Sequence, residues 1–247
     1  QGVAKIRAAE NARKEDERII SDECAQHFVR GGRIVACLGR LNEYLSDLLL
    51  PGLHAMIVGR TKLFDDHVQA AVADGATQLV ILGAGYDARA VRLPLPQACK
   101  VFEVDQPLVQ ARKRSCYTGI SGIADKVARI TFLETDFNKE SIEETLRRCP
   151  NFDPTAKTVF LLEGVTQYIP TEATETTLRS ISAMSPPGSR LVISYVDANT
   201  YGEREYEVAG EGYPVRAVHR LLGLTRRVGE PWISGWTKEE FASFAAD

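Results

Sequence analysis

Residues 77–105 read TQLVILGAGYDARAVRLPLPQACKVFEVD. After Gln78 the run at 78–82 is apolar and uninterrupted, as a parallel strand covered on both faces must be, whereas a half-exposed strand would alternate. It ends in Gly83-Ala84-Gly85, a strand feeding a tight turn, and the missing side chains at Gly83 and Gly85 let the main chain approach a ligand closely. A short helix is expected from about Asp87, and a second strand over residues 100–104 that ends on Asp105. Asp105 stands 22 positions beyond Gly83, where a carboxylate accepts hydrogen bonds from ribose hydroxyls in nucleotide-binding α/β folds. Together these features predict an adenosine-containing cofactor lying across the carboxyl ends of parallel strands.

Upstream of this unit the pattern is helical. Residues 1–30 are rich in Ala, Arg, Glu and Lys and contain no Pro, so they read as helix, with RAAENARKEDER (7–18) as a solvated face. Gly31-Gly32 breaks the run. Over residues 33–50, Ile34, Val35, Leu38, Leu41, Leu45, Leu48 and Leu49 recur at helical spacing, predicting a helix that packs on the main domain and stops at Pro51-Gly52. A further helix is expected over 61–73, with Leu63, Phe64, His67, Ala70 and Ala71 on one face; His67 there reads as a packing residue, and Arg60 stands at its start.

Downstream, Pro107 opens a helix over 106–116, where its missing N–H costs little. Strands follow at 128–133, 158–162 and 190–196, separated by helices at 141–148 and 171–184. Ser141 with Glu144, and Thr237 with Glu240 ahead of a last helix, have capping-box spacing. Five strands alternating with helices give an α/β fold with a doubly wound, mainly parallel sheet. Asp87, Asp105, Asp136 and Glu163 stand at or just beyond four consecutive strand ends, where the ligand of such a sheet sits, although Asp87 also reads as a helix cap. Residues 198–236 show no clear strand, and an insertion after the fifth strand is where a lid or substrate-recognition element would lie.

The division expected is an N-terminal helical cap (1–75), an α/β core (76–197), and a lid with a C-terminal helix (198–247), all in one domain. A fold of this type usually finishes with another strand or hairpin, so the chain is expected to continue beyond Asp247.

Bulk properties fit this reading. The 247 residues are 44% hydrophobic and 26% charged, enough for a sizeable core. A net charge of −3 and pI near 5.9 give no electrostatic case for a nucleic-acid partner. Cys24, Cys37, Cys99, Cys116 and Cys149 are scattered and never in a CxxC pair, which disfavours a disulfide framework and a zinc site and makes a cytoplasmic protein the expectation. No apolar run reaches the roughly 18 residues that cross a bilayer; residues 45–56 come nearest, interrupted by Asp47, Pro51 and His54.

The turn admits two readings. Gly83, Gly85 and Ala88 match G-x-G-x-x-A, a permitted dinucleotide signature in which Asp105 would serve the adenosine ribose of NAD. No hydride-transfer acid or base accompanies it, and Asp136 and Glu163 have no part in such a site. The same residues resemble the leucine carboxyl methyltransferase family of class I S-adenosylmethionine-dependent enzymes. The resemblance covers about residues 3–195 and is carried by QHFVR (26–30), GRTKLFDDHV (59–68), QLVILGAGYDARAVRL (78–93), VFEVDQPLVQARK (101–113), ETDF (134–137) and LLEGVTQYIP (161–170). LGAGYDxRxxRL followed by FEVDxP at this separation is far more specific than the glycines alone.

The resemblance implies S-adenosyl-L-methionine as methyl donor and S-adenosyl-L-homocysteine as product. By it Arg60 would bind the methionine carboxylate, with Arg7 as a second basic group nearby. Gly83, Ala84 and Gly85 would form the backbone cradle, Asp105 would hold the ribose hydroxyls, Asp136 with Phe137 the adenine, and Glu163 the methionine amino group. A carboxylate acceptor needs no general base; a hydroxyl does, and Tyr168, Tyr195, Glu163 and His219 are the candidates, each also readable as a pocket wall or cofactor contact. The chain is shorter than the phosphatase-directed members, so a small-molecule acceptor is expected, with a protein C-terminal leucine carboxylate as the alternative and neither nucleic acid nor membrane as partner. An NAD-dependent oxidoreductase and a non-catalytic cofactor-binding protein remain as rivals.

Overall fold

The computed structural model describes residues 2–136, 140–201, 215–227 and 229–246. Among them β1 (Gln78–Leu82), β2 (Lys100–Asp105), β3 (Ile130–Glu134), β4 (Thr158–Leu162) and β5 (Arg190–Ile193) form one sheet in the order β3-β2-β1-β4-β5, every adjacent pair parallel. The helices, in chain order, are α1 (Gly2–Glu10), α2 (Gly32–Cys37), α3 (Gly39–Leu49), α4 (Leu53–Ala73), α5 (Arg89–Arg92), α6 (Pro107–Thr118), α7 (Ala124–Val127), α8 (Ile142–Arg147), α9 (Thr171–Met184), α10 (Val215–Arg227) and α11 (Lys238–Ala246).

The sheet is covered on both sides, which is why its strands carry apolar runs. Leu79 and Ile81 of β1 join Val101, Val159 and Leu161 in a core closed by Phe64, Val68 and Ala71 of α4 and Tyr117 of α6. Val80 and Leu82 point the other way, into a second core with Phe102, Phe160, Ile142 and Leu146 of α8, and Leu178 and Ile181 of α9. Strand order reverses at β1, between β2 and β4. A crevice for a ligand is expected there, beyond the carboxyl ends, and the Gly83–Gly85 turn and Glu163 flank it.

Several sequence expectations need correction. The helix expected over residues 1–30 ends at Glu10, because the charged residues meant for a solvated face are held by distant partners. Glu10 is buried, accepting from the Ile19 N–H at 2.8 Å and pairing with His54 of α4 at 2.9 Å, and Arg7 is buried against Asp22 at 2.8 Å. The helix expected over 33–50 is two, α2 and α3, meeting at Leu38. Its apolar stripe does not pack on the main domain: Ile34, Leu38, Leu41, Leu45 and Leu48 are exposed. Contact runs instead through Gly39, where an added Cβ would stand 2.5 Å from the Ala12 Cβ and 2.9 Å from the Ala9 carbonyl oxygen.

The helix expected at 61 starts at Leu53, placing Arg60 within α4 rather than at its beginning. Its buried stripe is Ile57, Val58, Thr61, Phe64, Asp65, Val68 and Ala71, while Leu63, His67 and Ala70 face solvent. Periodicity read from apolar residues alone misses Thr61 and Asp65, which are buried because they are bonded. β3 begins two residues late, since α7 occupies the chain before it. β5 stops at Ile193: the Ser194 hydroxyl turns to accept from the Gly164 N–H at 2.8 Å, and Val196 and Ala198 exchange hydrogen bonds with Trp236. Both capping boxes form, at Ser141 with Glu144 and at Thr237 with Glu240.

Candidate active site

The glycine turn is built from inside the protein as much as for a ligand. Gly83 has φ +62°, and a Cβ there would lie 2.4 Å from Val165 Cγ2, so Gly83 lets the turn pack on the loop after β4. Gly85 has φ +43° and nothing nearer than 3.8 Å to an added Cβ; it is the glycine that leaves open space above the turn. Close approach of a ligand is thus expected at Gly85, and Gly83 serves packing. Ala84, buried between them, donates its N–H to the Val104 carbonyl at 3.1 Å.

Asp105 is tied to this turn. Its Oδ2 accepts from the Gly85 N–H at 2.6 Å and its Oδ1 from the Gln106 N–H at 2.7 Å. Each oxygen keeps a lone pair, so the carboxylate is aimed yet able to accept from a diol. Burial pushes its pKa up, against the pull of those two N–H groups and of Lys113. Beneath the turn, Glu103 and Lys113 form a fully buried pair at 2.7 Å, and the Lys113 ammonium lies 3.4 Å from the Ala84 carbonyl. Desolvation pushes Glu103 up to about 7, Lys113 opposing and Asp87 and Asp105 adding to it.

Across the switch point, Glu163 accepts from Arg60 Nε through Oε1 at 2.9 Å and from Arg89 Nη1 through Oε2 at 2.6 Å. Arg89 also donates to Asp65 from Nε at 2.7 Å, to Asp87 from Nη1 at 2.5 Å and to the Thr61 carbonyl from Nη2 at 3.1 Å. Arg92 forks onto both oxygens of Asp65, each at 2.6 Å. Arg60, Arg89 and Arg92 therefore stand against Asp65, Asp87 and Glu163, three cations to three anions. Burial would raise the Glu163 pKa, but Arg89, then Arg60, outweigh it and hold the carboxyl below its usual range despite opposition from Asp87. Arg7 reaches the rim, donating to the Tyr86 carbonyl at 2.5 Å.

The structure thus brings Arg60, Gly83, Ala84, Gly85, Asp105 and Glu163 to one end of the sheet, with Arg7 at the edge. Asp136 lies beyond β3 beside them, the preceding Thr135 donating its N–H to the Asp105 carbonyl at 2.9 Å. Phe137 lies outside the described residues, as does the side chain of His219. Tyr168 ends the 3₁₀ turn Thr166–Tyr168 and is 38% exposed. Tyr195 is engaged elsewhere, stacked on Phe241 of α11 at 4.6 Å and edge-on to Trp236 at 6.1 Å. Sequence reasoning assigned no role to Asp65, Arg89 or Arg92, although Asp65 lies in GRTKLFDDHV and the two arginines are the fixed positions of LGAGYDxRxxRL, i and i+3 on a short helix after Asp87.

A zwitterionic amino acid fits such a charge-balanced cluster, since it adds one charge of each sign, and the open side of Gly85 with the aimed Asp105 fits a ribose. No group of His, Cys, Asp and Glu among the described residues is arranged to hold a metal ion. The architecture is the class I methyltransferase fold. Two solved structures share the fold: a Thermobifida fusca protein described as a "putative methyltransferase" (TM-score 0.59, 21% identity, 99% of this chain and 79% of that one) and a Streptomyces avermitilis DUF574 family protein (TM-score 0.59, 14% identity, 97% and 80%).

The leucine carboxyl methyltransferase family model matches residues 1–182, and the chain belongs to that family. A Mycolicibacterium smegmatis relative is 34% identical over 233 residues, 92% of this chain and 72% of its own length, and one from Parafrankia is 32% identical over 257 residues, 98% and 76%. Both carry the name "Putative S-adenosyl-L-methionine-dependent methyltransferase". The dinucleotide reading of the glycine turn falls with this membership.

Proposed function

We propose that this chain transfers the methyl group of S-adenosyl-L-methionine to an oxygen of a small molecule, a carboxylate or a hydroxyl. Dependence on S-adenosyl-L-methionine follows from the family and from the names of its relatives. The choice of oxygen and of a small acceptor is our reading. The observation that carries the site is the pairing of Arg60 with Glu163 across the crevice from the Gly85–Asp105 hydrogen bond. Arg60 would hold the methionine carboxylate with nitrogens its Glu163 contact leaves over, Glu163 the ammonium, Asp105 the ribose diol, and Asp136 with Phe137 the adenine.

The cofactor supplies a methyl group already activated by its sulfonium, so the protein's work is alignment of nucleophile, methyl carbon and sulfur. Residues that fix both ends of the donor perform that alignment. A carboxylate acceptor is ionised at neutral pH and asks for no base, which agrees with Tyr195 being stacked between aromatic neighbours rather than bonded to the charged cluster. Residues 1–75 act in this reading as a helical cap and 198–247 as the acceptor-facing segment, and the protein works in the cytoplasm. Among the described residues no helix is long and apolar enough to cross a membrane.

Calorimetry with S-adenosyl-L-homocysteine tests the site: micromolar-range binding is expected, weakened at least about tenfold in Asp105→Ala and Arg60→Ala. Normal affinity in both variants would refute the assignment. Labelled donor with a panel of carboxylic acids, phenols and a leucine-ended peptide tests the acceptor. Turnover of the peptide alone would replace the small molecule by a protein C-terminus, and binding without turnover of any acceptor would leave a binding protein.

A further inference from the structure

We infer that Arg89 is a positioning residue that orients Glu163 for the methionine ammonium, tying the floor of the site to α4 and to the glycine turn. This rests on the reading of Glu163 given above. Arg89 cannot itself touch a ligand: its side chain is 1% exposed, against 22% for Arg60, and the Phe64 ring lies 5.4 Å from its guanidinium carbon. All three nitrogens are committed, Nε to Asp65 and Nη2 to Thr61 on α4, and Nη1 shared by Asp87 after the turn and Glu163 after β4.

A planar guanidinium held at Nε and Nη2 has its remaining nitrogen fixed in direction. Glu163 Oε2 is therefore held by a group that does not move with the ligand, whereas its Oε1 faces the more exposed Arg60. A lysine would supply charge from a single point and could not span three elements.

The same contact keeps Glu163 ionised. The charged groups around it are Arg89 on α5, Arg60 on α4, Arg7 on α1 and Asp87 in the turn, and Arg89 is the largest of those that favour its charge. Loss of Arg89 would let Glu163 take up a proton at higher pH, and ammonium recognition would fade over the same range.

The test compares S-adenosyl-L-homocysteine with 5′-deoxy-5′-methylthioadenosine, which keeps the nucleoside but lacks the amino-acid end. In the wild type the first should bind at least about tenfold tighter; equal affinities would overturn the site assignment and this inference with it. Arg89→Lys and Arg89→Gln should each lose about tenfold or more in S-adenosyl-L-homocysteine affinity while methylthioadenosine binding changes less than about twofold, and in Arg89→Gln the loss should deepen as pH falls toward the ordinary carboxylate range. Glu163→Gln should show the same selective loss but without its deepening at lower pH, since the amide does not titrate, and the Arg89→Gln/Glu163→Gln pair no more than the larger single loss. Should the single Arg89 variants fail to fold, Arg89→Gln/Asp87→Asn removes one charge of each sign and must show the selective loss. Equal weakening of both ligands, additive losses, or an unchanged preference in the balanced pair would overturn the role.

Discussion

Gly83 and Gly85 sit in the same turn yet are needed for different reasons. Gly83→Ala meets both a positive φ and Val165 at 2.4 Å. The first costs roughly 1 kcal/mol and the overlap about 1–3 kcal/mol more, so urea unfolding should show a loss of about 2–4 kcal/mol. Val165→Ala in the same chain should recover the overlap part. Gly85→Ala strains only φ, so stability should fall by roughly 1 kcal/mol, while calorimetry should show S-adenosyl-L-homocysteine binding weakened, because the methyl group would occupy the open space a ligand needs. A stable Gly83→Ala with normal unfolding would contradict the packing role. At this scale the sequence was legible where a residue type has few uses: glycines after a strand, an aspartate at the next strand end. It placed Arg89 in the LGAGYDxRxxRL pattern but did not reveal its role, since an arginine looks the same whether it faces water or four acceptors inside the protein.

Strands were the most legible elements because a doubly covered parallel sheet leaves continuous apolar runs, at 79–82 and 159–162, and β1 and β4 fall there. Helices read less well where polar contacts decide them. α1 ends at Glu10 because the chain folds back to bring Asp22 onto Arg7, a pairing 15 residues apart that no helical period reports. The exposed stripe of α3 shows the reverse case, an apolar period whose burial does not follow. Caps are local, and so they were readable. At Ser141 the hydroxyl accepts from the Glu144 N–H at 3.2 Å and Glu144 returns to the Ser141 N–H at 3.0 Å. Ser141→Ala should therefore cost about 1 kcal/mol in urea unfolding, with S-adenosyl-L-homocysteine affinity unchanged because α8 packs on the face of the sheet formed by Val80 and Phe160.

For the whole molecule, the buried carboxyls divide stability between two pH windows. Asp87 and Glu163 have folded pKa values held below their ordinary 3.8 and 4.5 by cations that outweigh their burial, Arg89 and Lys113 first for Asp87 and Arg89 and Arg60 for Glu163. Their contribution is present above those values and is lost as pH falls through the lower folded ones. Glu103 behaves oppositely: desolvation raises it from 4.5 to about 7, so the folded chain binds the extra proton between those limits, and its contribution, full below 4.5, is lost as pH rises to about 7. Asp105, also raised by burial, works in the same direction as pH rises from its ordinary 3.8. Chemical unfolding across pH should therefore give greatest stability near pH 5, with a fall of about 2–3 kcal/mol toward pH 7 from Glu103 and a second fall below about pH 4. Glu103→Gln should flatten the slope between pH 5 and 7 without removing the acid limb. Lys113→Met leaves Glu103 buried without its cation and should cost about 3 kcal/mol or more at pH 8, and distinctly less at pH 5.5, where Glu103 is protonated. An equal loss at both pH values would show that Glu103 does not titrate in the folded chain.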